Sequence, residues 1–119
     1  MTPAAAIAAL NRQLALHGQD AVLRRSTWVG TTKTNFDVDV RITLRGYRPD
    51  ELLGGITQGD SQVVLGPTEI AVAGWPDSMV DVPRAGDQII AAGRTRSVIA
   101  AAPIHLGGEL VRIDMQVRG

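Results

Sequence analysis

The chain has 119 residues, no cysteine, and twelve basic residues balanced by twelve acidic ones. That length suits one domain, which buries roughly two-thirds of its unfolded surface, so residues 1–119 are read as a single domain. The absence of cysteine excludes a disulfide scaffold, a thiolate metal site and a cysteine nucleophile, and a formal net charge of zero argues against a protein that grips nucleic acid along a broad basic face.

Met1-Thr2-Pro3 lacks a positive n-region, and the apolar stretch Ala4 to Leu10 runs into Asn11 and Arg12 rather than a cleavage site, so no secretion signal is expected. No apolar run approaches the ~20 residues that span a bilayer. The expectation is a soluble protein made in a cytoplasm, with no membrane partner. Residues 3–17 predict a helix: Pro3 suits its first turn, alanine is dense, and Ile7, Leu10 and Leu14 fall on one stripe. Gly18 is its natural stop. The stripe is narrow, so the helix is expected to lie on a surface.

Residues 21–29 predict a strand, followed by a turn-like connection from Gly30 to Thr34. The clearest pattern comes next. Phe36, Val38, Val40, Ile42 and Leu44 alternate with polar residues from Asn35 to Arg45, the signature of a half-buried strand. Gly46 opens a long segment, 46–60, that Pro49 and its glycines keep out of regular strand structure. Residues 61–65 and 68–73 read as short strands around Gly66-Pro67, and 74–87 as irregular. Two strands, 88–92 and 94–102, then meet across Gly93, and Pro103 interrupts the second. After the Gly107-Gly108 turn, Val111, Ile113, Met115 and Val117 mark the last strand. One helix before six or seven short strands predicts a mainly β fold, a small barrel or sandwich over residues 20–119.

Candidate chemistry is sparse. His17 and His105 are isolated and show no metal-ligand spacing, so both are read as structural. Asp37 and Asp39 share a strand face, but Arg41 and Arg45 continue it, which favours a charged solvent face or a subunit contact over acid–base work. Arg24 and Arg25 are adjacent on a strand and therefore point to opposite faces. No nucleophile elbow, phosphate loop or dinucleotide fingerprint is present. No catalytic, cofactor or metal residue is therefore assigned, and no small-molecule substrate. Eleven of the twelve basic residues are arginine, the residue enriched at interfaces, although a GC-rich coding sequence gives the same bias. Four aromatics, Trp28, Phe36, Tyr47 and Trp75, make no platform for stacking bases. The long segment 46–60 places Leu52, Leu53 and Ile56 where only another chain would cover them.

Several segments carry a resemblance: RGYRPDELLGGITQGDSQVVLGPTEI, the GWP at 74–76, the hairpin GDQIIAAGRTRSVIAAAPI, and the closing ELVRIDMQVRG. Over residues 20–119 the chain resembles the head-tail joining proteins, also called head completion or stopper proteins, of tailed phages and gene transfer agents. The resemblance implies a small β-barrel without catalytic residues. It implies a six- or twelvefold homo-oligomeric ring below the portal or adaptor that seals the DNA-filled head, touches packaged DNA non-specifically and docks the tail. Its location would be the head-tail interface of a virion or phage-like particle made in a bacterial cytoplasm. Tyr47, Arg48, Asp50, Leu52, Leu53, Ile56 and Trp75 are the interface residues this reading selects. A tail-terminator or adaptor component of the same particle is the nearest alternative. A small-barrel nucleic-acid-binding module is the alternative from another class, and a small hydrolase or lyase finds no support in the residues.

Overall fold

The computed structural model describes residues 2–47, 59–77 and 80–119. Helix α1 spans Pro3–His17. Its first turn is capped by Thr2, whose Oγ1 accepts from the Ala5 N–H at 3.1 Å, and Pro3 sits where a missing N–H costs nothing. It ends at Gly18, where a Cβ would lie 2.7 Å from the Ile42 carbonyl oxygen and closer still to that of Leu14. Close approach of helix end and strand therefore requires glycine there, and Leu14 is buried beside it.

Six strands follow among the described residues: β1 (Gln19–Val29), β2 (Thr32–Gly46), β3 (Asp60–Leu65), β4 (Gln88–Ala91), β5 (Arg94–Leu106) and β6 (Glu109–Arg118). They close into an antiparallel barrel in the order β1-β2-β3-β6-β5-β4. Closure removes free sheet edges over the paired lengths. The inward positions follow the strand period. Val38, Val40 and Ile42 meet Leu23, Val63, Leu65, Ile89, Val98, Ile113, Met115 and Val117 in one core, with Phe36 and Leu44 packed against it. The expected strand 35–45 thus keeps its register and starts three residues earlier.

Two expectations are corrected. Residues Thr68–Ala73, read as a strand, form a short helix, α2. A strand would set Ile70 and Val72 on one face. Instead Ile70 is 1% exposed and Val72 is 85% exposed, because residues two apart on a helix lie on nearly opposite sides of it. Pro67 precedes the helix, and Gly74, at φ +63°, stops it in the left-handed conformation that glycine adopts without strain. Tertiary context here overrides the β propensity of Ile and Val. Pro103 does not interrupt β5, which continues to Leu106 with Pro103 opposite Ile113. Beyond Ser97 the strand has β6 on one side and no β4 partner on the other, the edge position in which proline is tolerated.

Pairing lengths are unequal, and this shapes the molecule. β1 and β2 pair from Gln19–Ile42 out to Val29–Thr32, whereas β4 reaches only Ala21–Arg24 and β3 only Ile42–Gly46. The β1–β2 hairpin therefore projects past the barrel as a two-stranded arm. The β5–β6 hairpin projects likewise, backed by α1, with Pro3 Cγ 3.6 Å from the place a Cβ would take on Gly107. Among the described residues no helix is long and apolar enough to cross a membrane.

Val40 is 4% exposed at the centre of this core. Val40→Asp buries an unpaired charge and is expected to cost about 3–5 kcal/mol in a denaturant titration. Unchanged stability would contradict the register of β2.

Candidate functional site

The residues with the most specific geometry form two sets: a buried polar hub that fixes one end of the barrel, and the surfaces that the hub holds in place. Arg25 is the centre of the hub, 5% exposed and pointing inward from β1. Its Nε and Nη2 donate to the two carboxylate oxygens of Asp87 at 3.0 and 2.9 Å, Nη1 donates to Asp81 at 2.6 Å, and Nη2 also donates to the Val82 carbonyl at 3.0 Å. The guanidinium lies over the Trp75 ring, 4.7 Å from its centroid. Trp75 donates Nε1–H to the Phe36 carbonyl at 2.8 Å, which ties the irregular segment back to β2. Asp87 also accepts from the Arg84 N–H, and its carbonyl accepts from Val98. The described residues of 74–87, irregular as the sequence implies, are thus pinned to β1, β2 and β5.

A second cluster lies where β3 meets β6. The Asp60 carboxylate is 1% exposed and accepts from Arg118 Nε at 2.7 Å and Nη2 at 3.0 Å, and from Gln116 Nε2 at 2.7 Å. Arg96 is also buried and donates to the Ala91 carbonyl at 2.6 Å. Arg25, Asp87 and Asp60 are thus paired with opposite charges and Arg96 is bonded to a backbone carbonyl, as burial demands.

The surfaces are different in character. On the β1–β2 arm one face carries a ladder of polar cross-strand pairs. Arg24 bridges Asp37 through two bonds of 2.8 and 2.9 Å, Ser26 donates to Asn35 at 2.7 Å, and Trp28 stands opposite Lys33. Arg24 and Arg25 do point to opposite faces: the first is spent on the surface, the second in the hub. At the tip, Trp28 is 65% and Val29 76% exposed.

At the root of the same ribbon a groove of about 670 Å³ lies where the start of β1 is flanked by β2 and β4. Asp20, Asp39, Arg41, Glu69, Ile90 and Ala92 are among its lining residues. Arg41 is already engaged. Its Nε donates to the Leu14 carbonyl at 2.9 Å and its Nη1 to Asp20 at 3.0 Å, so it caps the C-terminal end of α1. Glu69 is not: its Oε2 is buried and has no hydrogen-bond partner. Ala92, in the β4–β5 turn, sits at φ +52°, a conformation that costs a non-glycine residue energy.

The charges respond to these settings. Hydrogen bonds from Arg24 hold the Asp37 carboxyl below the usual carboxylate range, and Arg25 does the same for Asp81. Desolvation by burial pushes Glu69 up.

Of the interface residues selected from sequence, Arg48, Asp50, Leu52, Leu53 and Ile56 lie outside the described residues. Tyr47 is half-buried just past β2 and lines a small cleft with Gln62 and Met115. Trp75 is corrected: at 2% exposure, over Arg25, it belongs to the core and offers this chain's surface nothing. His17 and His105 are exposed on different elements, and among the described residues no three His, Asp or Glu side chains gather as a metal site requires. Sequence reasoning missed the Arg25 hub and the groove. The Asp81 and Asp87 pair beside Pro83 was visible, but nothing local links it to Arg25. No protein-family model matches the chain, and no curated protein matches it.

Arg25→Met is expected to cost about 3–5 kcal/mol, because Asp87 stays buried without its cation. Adding Asp87→Leu should recover most of that loss. A double variant no more stable than the single one in urea unfolding would contradict the hub.

Glu69 gives a pH test. Its folded pKa is raised, so the ionised form is penalised in the folded state at neutral pH, and the penalty disappears below the unfolded value near ~4.3. Glu69→Gln is therefore expected to raise the melting temperature at pH 7 and to change it little in acid below that value. An equal shift at every pH, or none, would contradict the burial of this carboxyl.

Proposed function

We propose that the chain is a non-catalytic subunit of a ring at the head-tail connector of a tailed phage or a phage-derived particle, placed below the portal or adaptor, where it seals the DNA-filled head and docks the tail. The observation that carries this reading is the pair of hairpins that extend beyond the barrel. One of them exposes Trp28 and Val29 at its tip, an arrangement that wastes apolar surface on a free monomer and is useful on an assembling one.

Three further features support it. The segments that resemble stopper proteins include β3, β4, β5 and β6, which form half or more of the barrel wall. The described fold spends its buried charges on structural pairs, with Arg25, Asp60 and Asp87 all satisfied internally. Finally, the arm tip and the groove are different surfaces on one body, and a ring needs two unlike surfaces that meet head to tail around an axis.

In this role the barrel is a rigid spacer and the arms carry the contacts. The sequence between β2 and β3, whose residues 48–58 lie outside the described ones, is by composition the natural candidate to face the channel or the next layer. No cofactor, metal or small molecule has a part in it.

Removing the coding sequence from the parent phage or prophage is expected to yield heads that lose their DNA and carry no tails, alongside free tails. A copy supplied in trans should restore tailed particles. Normal tailed particles from the deletion would overturn the proposal.

A further inference from the structure

We propose that copies of this chain join by inserting the tip of the β1–β2 arm of one into the groove at the root of the same ribbon in the next. The inference rests on the ring reading and names the contact that would build it.

The tip and the groove are complementary in charge and character. The tip presents Trp28 and Val29, both largely exposed, beside Lys33, the chain's single lysine. The groove carries the carboxylates of Asp20, Asp39 and Glu69 against one guanidinium, Arg41. That guanidinium is committed to Asp20 and to the end of α1. Asp39 and Glu69 are therefore left without a cation beside the apolar part of the lining, Ile90 and Ala92. Val72 lies one turn from Glu69 on the same side of α2 and is 85% exposed, so the apolar surface continues beside the groove. An apolar tip with one cation fits a groove of mixed apolar and polar lining with surplus negative charge.

Reach makes the contact intermolecular. Val29 at the tip and Ala21 at the groove are eight residues apart on one strand, about 26 Å at strand rise. The two strands pair without interruption between them, braced by the Arg24–Asp37 and Ser26–Asn35 cross-strand bonds, so the tip does not reach the groove of its own chain in this fold. A contact between two unlike surfaces at opposite ends of a rigid ribbon repeats from copy to copy and closes into a ring when the rotation permits. The Glu69 carboxylate, with one oxygen buried and without a partner, adds negative charge beneath the groove that draws a neighbour's ammonium toward it.

Because the chain has no cysteine, disulfide trapping tests this directly. Thr32→Cys marks the tip, and Val22→Cys or, as a second position, Ile90→Cys marks the groove. Mixed tip and groove chains are expected to form a disulfide dimer well above either chain alone and above the tip chain mixed with Ala8→Cys on the exposed side of α1. Adding Lys33→Glu to the tip chain should lower the yield about fivefold, and Asp39→Lys in the groove chain should restore it. Sedimentation of the unmodified protein at high concentration separates the outcomes. Assembly without the tip–groove disulfide overturns the contact and leaves the ring reading standing. Neither assembly nor disulfide overturns both. A tip that instead shifts short duplex DNA in a salt-dependent way, with no disulfide, also overturns the contact.

Discussion

The fold depends on one buried guanidinium. Arg25 fills its donors with Asp87, Asp81 and the Val82 carbonyl and stacks on Trp75. Burying a charge of this size is costly, and the structure meets the cost by leaving no donor nitrogen unpaired. The planar fork is essential to the arrangement. A lysine at this position could neither bind Asp87 through two parallel bonds nor stack flat on the indole. Through that one side chain, Trp75, Asp81, Val82 and Asp87, all from the connection between α2 and β4, are tied to β1. Trp75 then reaches Phe36 on β2, so the place where the β1–β2 arm leaves the barrel is braced from below.

That brace separates two kinds of apolar surface. Inside, branched aliphatic side chains from all six strands fill a core with Trp75 as its single fully buried aromatic. Outside, Trp28, Val29 and Val72 stay in water, far more exposed than their types usually are. Exposed edges beyond the closed part are managed rather than left open: Pro103 removes a donor from the outer half of β5, and α1 covers the β5–β6 ribbon. The left-handed Ala92 and the unpartnered Glu69 oxygen both border the groove. Departures from local rules gather at sites of interaction more often than elsewhere, and here they gather beside the surface proposed to receive a neighbour.

Much of this architecture is legible in the sequence, and the remainder fails for identifiable reasons. Helix α1 follows from Pro3, its alanines and Gly18, and β2 and β6 from strict alternation, because in these elements local propensity and tertiary demand agree. In α2 they disagree. Six residues containing Ile70 and Val72 look extended, yet they form a helix that buries one and leaves the other exposed. Alternation places Arg25 on the face opposite Arg24, but its partners lie 56 and 62 positions away, so nothing local marks it as the centre of a buried hub. The groove was illegible for the same reason: it is assembled from β1, β2, α2 and the β4–β5 turn, which no sequence window contains together. The resemblance alone selects Trp75 for an interface, yet a neighbouring buried arginine gives an indole an equally good place inside.

In the proposed role the barrel is the rigid body of an assembling subunit and the arms make the contacts. Cryo-electron microscopy of the purified parent particle tests it most directly. The account predicts a closed ring of this barrel between portal and tail, with residues 26–35 of each copy lying against the barrel of the next. A particle that lacks the chain, or carries it away from the head-tail junction, would contradict it.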